Sequence, residues 1–274
     1  MDEETARRKK RALLSNLEKR GSLLVAFSGG VDSSFLLAAA REVLGERVCA
    51  ATAVSFIHPS AESDEARHIA LLLGARHVQF QSRETSLEAF LANSRERCYY
   101  CKRNLFQQLF EMAKELDFKA VAHGANQDDL GDYRPGFRAA EGAGAIAPLM
   151  DAGLTKEEIR FLSREMGLPT WDKPSNACLA SRIPYGTPIT SERTGQVEEA
   201  EQFLREKGFR IARVRHHGAV ARIEIAQEDM ERFHDKDLRK AIVDTLRKIG
   251  FEHVALDLEG YVTGKMNRSV DGEL

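Results

Sequence analysis

Leu23-Leu24-Val25-Ala26-Phe27-Ser28-Gly29-Gly30-Val31-Asp32-Ser33-Ser34-Phe35-Leu36-Leu37 joins a short apolar run to an amphipathic one through a pair of glycines. Residues 23–27 are continuously apolar, too short for a helix, and bounded by Gly21 and Gly29. Residues 33–44 (SSFLLAAAREVL) have helical composition. Two glycines between a buried strand and a helix let the backbone approach a phosphate closely, and the helix start offers unpaired N–H groups and a positive dipole end. Ser28 and Ser33 add hydroxyls. A Walker A lysine is missing, since Gly264-Lys265 lies far along the chain and is followed by Met266. A plain Gly turn before a capped helix is the bland alternative.

Outward from this turn, short apolar runs alternate with longer amphipathic segments as far as residue 166, the pattern of βαβ units and a parallel sheet. Strands are expected at 48–54, 77–80 and 119–123, and helices at 61–73 and 102–116. Thr155 with Glu158 three residues on forms a capping box that opens a helix reaching 166. Pro169, Pro174, Pro184 and Pro188 then crowd into residues 168–190, an ordered junction with its boundary expected near Gly186. Beyond it the order is helix 191–207, strand 211–216, strand 220–225, helix 236–249 and strand 253–257. The expected fold is an α/β parallel-sheet domain over residues 1–186 followed by a small α+β domain over 187–274.

The 274 residues carry 40 Lys+Arg against 42 Asp+Glu, a net charge of -2, which argues against a protein living on non-specific nucleic-acid contacts. Four cysteines are too sparse for a disulfide scaffold. The mixed-charge start MDEETARRKKR lacks a signal-peptide core, and apolar runs fall short of the ~18–20 residues of a membrane span. A cytoplasmic protein with reduced thiols and no membrane or nucleic-acid partner is expected.

Two further clusters carry chemistry. Residues 123–129 (HGANQDD), continuing to Asp132 and Arg134, leave the C-terminal end of an expected strand, where open α/β sheets bind ligands. Gly124, Asn126 and Asp128 are candidate nucleotide contacts there, because carboxylates beside phosphates suit Mg²⁺; a solvated acidic turn is the alternative. Lys156 and Arg160, on the capped helix, are cations that could face the nucleotide. Cys98-Tyr99-Tyr100-Cys101 stands just before an expected helix, with Arg97, Lys102 and Arg103 favouring thiolates, and Cys178 sits in the Pro-rich junction. Three thiolates are one short of a closed four-cysteine site and leave one coordination position open. A redox CxxC and a structural zinc site are the other readings, and Cys49, within an apolar strand, reads as an inert core cysteine.

The sextet Ser28-Gly29-Gly30-Val31-Asp32-Ser33 resembles the PP-loop of the ATP pyrophosphatase superfamily, whose fold is adenine nucleotide alpha hydrolase-like. The resemblance implies cleavage of ATP between the α and β phosphates, adenylation of a substrate oxygen, and displacement of AMP by nitrogen or sulfur. It implies that Ser28, Gly29, Gly30, Asp32 and Ser33 grip the pyrophosphate portion, and that Val54 stands where adenine meets main chain. Residues 171–186 (WDKPSNACLASRIPYG), 128–136 (DDLGDYRPG) and 213–217 (RVRHH) narrow the likeness to LarE-type sulfur transferases, over about residues 10 to 268. That family implies conversion of the carboxylates of pyridinium-3,5-biscarboxylic acid mononucleotide to thiocarboxylates, in nickel-pincer nucleotide cofactor synthesis. Many members donate sulfur from the cysteine matching Cys178; the added Cys98 and Cys101 are similar to a subgroup whose three cysteines hold a [4Fe-4S] cluster reloaded from a sulfide source. The likeness also implies a ring-like homo-oligomer such as a hexamer, substrate contacts from Arg134, and a metal or substrate role for Glu201.

A tight turn at His217-Gly218 would set Ala212 and Val214 on the core face with Ala221 and Ile223, and Arg213 opposite Arg222 with Arg215 beside them. Like charges across a ladder are unfavourable unless something anionic lies between them, and a substrate phosphate or carboxylate fits. Glu201 or Glu224 could equally balance them. Sacrificial donation from Cys178, a PP-loop tRNA thiolation enzyme, an amide-forming synthetase and a non-catalytic nucleotide binder are the competing functions.

Overall fold

In the computed structural model, residues 1–131, 135–174, 177–262 and 265 are described. They run α1 Glu3–Glu18, β1 Leu23–Ala26, α2 Val31–Leu44, β2 Val48–Val54, α3 Ser60–Leu72, β3 Arg76–Gln81, α4 Glu88–Leu91, α5 Arg97–Glu115 and β4 Ala120–Ala122. There follow α6 Pro135–Gly142, α7 Pro148–Asp151, α8 Lys156–Glu165, α9 Ser191–Glu206, β5 Ala212–His217, β6 Val220–Ile225, α10 Lys236–Ile249 and β7 His253–Leu256. The chain forms two compact units, Met1–Phe90 with Arg95–Asn176, and Leu91–Ser94 with Ala177–Leu274.

The first unit holds a four-stranded parallel sheet in the order β3-β2-β1-β4. Alternation along the strands sends Leu23, Val25, Val48 and Ala50 to one face, against α1, α2, α3 and α8. Leu24, Cys49, Ala51 and Val121 face Phe106, Leu109 and Ala113 of α5. Both faces are covered, which is why these strands read as unbroken apolar runs. Helix α2 is buried nearly all round, from Val31 to Leu44, and a helix apolar on every side belongs at the centre of a layer. Its Phe35, fully buried, is worth about 1.5–3 kcal/mol by burial alone, so Phe35→Ala would loosen the layer that carries the phosphate loop.

The second unit is a three-stranded sheet, β5-β6-β7, antiparallel then parallel, with α9 and α10 against its apolar face. The parallel-sheet domain and the small α+β domain are thus as expected. Gly186, the expected junction, lies inside the second unit, where its N–H donates to Asn93 O at 3.0 Å. Among the described residues no helix is long and apolar enough to cross a membrane.

Several details differ from the sequence reading. Helix α1, capped by Asp2, and the shorter helices α4, α6 and α7 are additional to it. Helix α5 starts at Arg97, so Cys98 and Cys101 lie within its opening turns and not before them; Glu96 provides no side-chain cap that would have marked the start. In the hairpin the turn falls at Gly218-Ala219, so Arg213 pairs with Glu224 and Arg215 with Arg222. The shift preserves the parity of the strands, so the apolar and charged faces are unchanged.

Candidate active site

The phosphate loop leaves β1 and enters α2. Gly29 has φ +67, and a Cβ there would come within 2.9 Å of Ala66 Cα on α3, so glycine is needed for conformation and for close approach. Ser33 Oγ knots the loop, accepting from Ser28 N at 3.3 Å, lying 3.1 Å from Ser28 Oγ and donating to Gly30 O at 3.2 Å. Gly30 caps α2 without a side-chain acceptor, so the opening N–H groups of the helix have no side-chain cap to compete with an anion.

The strand-end segment after β4 closes on this loop. Gly124 is packed so tightly that a Cβ would lie 3.0 Å from Ser33 N. Asn126 Nδ2 donates to Asp32 Oδ1 at 3.3 Å, and Lys156 Nζ pairs with Asp32 Oδ2. Asp128 accepts from Lys156 N at 2.8 Å and Asp129 accepts from Asn126 N at 2.9 Å, so both carboxylates also fix the turn and the start of α8. That start is the expected capping box, with Thr155 N donating to Glu158 Oε2 at 2.8 Å. Arg160 Nη1 and Nη2 each donate at 2.8 Å, to Trp171 O and Lys173 O. Val54 O at the end of β2 accepts from Ser82 N at 3.0 Å. Arg134 lies outside the described residues.

Some of this was missed from the sequence. Glu84, fully buried, accepts from Ser55 Oγ at 2.5 Å and from Ser82 Oγ at the ends of β2 and β3. Ser55 Oγ also lies 3.1 Å from His58 Nδ1. Burial, and then the Lys102 ammonium, hold His58 and His123 below the ordinary imidazole range, His123 down to about 4, while Glu84 and Asp129 pull the other way. Lys173, whose ammonium donates to Gly29 O at 3.1 Å, was also missed; a lysine beside Asp172 and Pro174 carries no local signal of it.

Cys98 is exposed and Cys101 and Cys178 are partly exposed, whereas Cys49 is buried and its thiol is pushed up to about 11 by burial. Cys98 and Cys101 belong to the first unit and Cys178 to the second. Among the described residues no group of three or more His, Cys, Asp or Glu side chains is gathered for a metal.

Within the second unit, Arg182 holds the backbone around Cys178. Its Nη1 donates to Ala177 O at 2.5 Å and Cys178 O at 3.1 Å, while Nε and Nη2 form a two-point pair with Glu201 at 2.9 and 3.0 Å. Glu201 also accepts from Val214 N at 3.0 Å. Arg215 pairs with Glu224 at 2.6 Å and Arg222 with Glu224 at 3.1 Å and Asp257 at 3.2 Å. Glu224 and Asp257 thus balance Arg215 and Arg222 across this ladder, one of the two alternatives that the sequence leaves open. Arg213 stacks over Tyr261 at 5.3 Å, and burial, then the neighbouring Arg182, lower its pKa from the ordinary value.

A knotted Gly-Gly loop on a parallel sheet, with polar strand-end residues closing on it, defines a nucleotide-binding protein of the PP-loop class. The PP-loop domain family matches residues 1–131. The chain is 36% identical over 263 residues to pyridinium-3,5-bisthiocarboxylic acid mononucleotide synthase of Lactiplantibacillus plantarum, covering 94% of each chain, and it belongs to this LarE-type family of PP-loop proteins. It is also 42% identical over 245 residues to an uncharacterized protein of Synechocystis sp. (89% of this chain, 91% of that one). An uncharacterized protein of Methanocaldococcus jannaschii is 27% identical over 243 residues (89% and 92%). PP-loop, ATP-dependent sulfur-transfer chemistry is the class of activity that these findings support.

Proposed function

We propose that this chain adenylates the carboxylates of pyridinium-3,5-biscarboxylic acid mononucleotide with ATP and converts them to thiocarboxylates. The likeness to the Lactiplantibacillus synthase along nearly the whole chain carries the reading. The knotted phosphate loop agrees with it.

In this reading the substrate carboxylate attacks the α-phosphorus of ATP and pyrophosphate leaves. A sulfur nucleophile then adds to the acyl carbonyl and AMP departs, leaving the thiocarboxylate. The loop N–H groups at the start of α2, with Ser28 and Ser33, would hold the pyrophosphate portion. Mg²⁺ would accompany the triphosphate, with Asp32 and Asp128 as the nearby carboxylates. Arg213, flanked by other guanidiniums, would meet the substrate phosphate or carboxylate. Cys98, Cys101 and Cys178 would hold a [4Fe-4S] cluster, which supplies, when bound, an iron position open to external sulfide. Their accessible, soft thiols suit iron, whereas the buried thiol of Cys49 does not.

The test is anaerobic turnover with ATP, the dicarboxylate and sulfide, followed by pyrophosphate release and product mass. Asp32→Ala should reduce substrate-dependent pyrophosphate release by about 100-fold or more. Changing Cys98, Cys101 or Cys178 to Ala should remove iron and sulfur transfer together, while Cys49→Ala keeps both. A dehydroalanine at position 178 in iron-loaded protein after turnover would replace this scheme with sacrificial donation.

A further inference from the structure

Lys156, Arg160 and Arg164 recur every four residues along α8 and so share one face. Lys156 Nζ pairs with Asp32 in the phosphate loop. The Arg160 guanidinium spans the carbonyls of Trp171 and Lys173, and the Arg164 guanidinium lies 5.2 Å from the centre of the Trp171 indole. The segment after α8 is thereby fixed at two points. From it the Lys173 side chain, 16% exposed, reaches back to the loop, donating to Gly29 O at 3.1 Å and to Glu65 Oε2 at 2.7 Å.

The phosphate loop carries no lysine of its own. One of the Lys173 partners is a neutral carbonyl and the other a half-exposed carboxylate. Exchanging these for phosphate oxygens costs little, because a solvent-screened pair is weak and a bond to phosphate is charge-assisted. We infer that Lys173 is the cation that binds the pyrophosphate portion of ATP, and that Arg160 is a positioning residue that aims it and not a nucleotide contact. The inference rests on the ATP-dependent reading above.

Equilibrium binding of ATP, AMP and inorganic pyrophosphate to the full chain tests it, alongside thermal melting of each variant. Lys173→Gln removes the charge but keeps a polar side chain, and should weaken ATP and pyrophosphate by about tenfold or more, the range for a charged hydrogen bond, and leave AMP within about twofold. Arg160→Ala should weaken the same two ligands, and Arg160→Lys should not restore them, since an ammonium cannot span both carbonyls as the planar guanidinium does. The double variant should bind no worse than Lys173→Gln alone. Losses that add in the double variant would make Arg160 a ligand contact and overturn the positioning role. Unchanged pyrophosphate affinity in a folded Lys173→Gln protein would overturn the role of Lys173. Pyrophosphate binding that depends on Lys173, in a chain that turns over no dicarboxylate, would support the inference and count against the substrate reading alone.

Discussion

The phosphate loop of the first unit and the arginine face of the second both invite an anion, but they treat charge in opposite ways. The loop relies on backbone N–H groups and two hydroxyls, and its cations come from elsewhere in the unit, Lys156 from α8 and Lys173 from the segment after it. The arginine face buries its cations against its own carboxylates, Arg182 on Glu201 and Arg215 on Glu224, each member less than a tenth exposed. A group that must take up and release phosphate cannot be locked into a buried pair. A group that must hold a backbone in place can be. The arginines of this unit are therefore held in different ways, Arg182 and Arg215 by buried carboxylates and Arg213 by its place over the Tyr261 ring.

The largest effect that would break this contrast concerns Glu201. Glu201→Ala leaves the buried Arg182 guanidinium without its carboxylate, and breaking a buried pair costs about 3–5 kcal/mol. Urea unfolding followed in the second unit should register that loss, with ATP binding in the first unit retained. A loss below about 1 kcal/mol would show that the pair is not structural. The next effect, on the order of 3 kcal/mol, is acid sensitivity in the first unit. His123 ordinarily titrates at 6.5 and burial lowers it to about 4, so between these values the unfolded chain takes a proton that the folded one refuses. Stability should be complete above pH 6.5 and fall as pH drops towards 4, and His123→Phe should flatten that slope in a urea–pH series, leaving the smaller share that the buried His58 and His77 contribute in the same direction. The smallest sharpens the division among the arginines. Arg213→Ala should weaken dicarboxylate binding by about 1.5–3 kcal/mol, measured calorimetrically, without changing ATP affinity. Equal losses for both ligands would merge the two regions into one site.

What was legible in the sequence follows the same divide. Residues 48–54 read as a strand to the residue because a strand covered on both faces is an apolar run. The capping box at Thr155 and the Gly-Gly turn were visible because each is a local interaction. The start of helix α5 is illegible because it is uncapped, and the hairpin turn is illegible because Gly218, φ +64, opens the turn instead of closing it. Arg160 was read as a cation near the nucleotide. Its bond to two carbonyls eleven and thirteen residues on is a tertiary fact, as is the reach of Lys173 to Gly29. The charge of a side chain can be read from sequence, but whether that charge is already answered inside the protein cannot.

Asn93 shows that the two units are not exchangeable modules. Leu91–Ser94 is lent by the first stretch of chain to the second unit, and there the fully buried Asn93 amide lies 2.8 Å from Pro184 O and Thr187 O and 3.3 Å from Ile183 O. A fragment beginning at residue 177 would lack the donor for three carbonyls in the segment that follows Cys178, and one ending at residue 176 would carry that donor without those carbonyls. Cutting the chain at that seam therefore parts one buried amide from three carbonyls, so the second unit is complete only with a piece of chain drawn from far upstream.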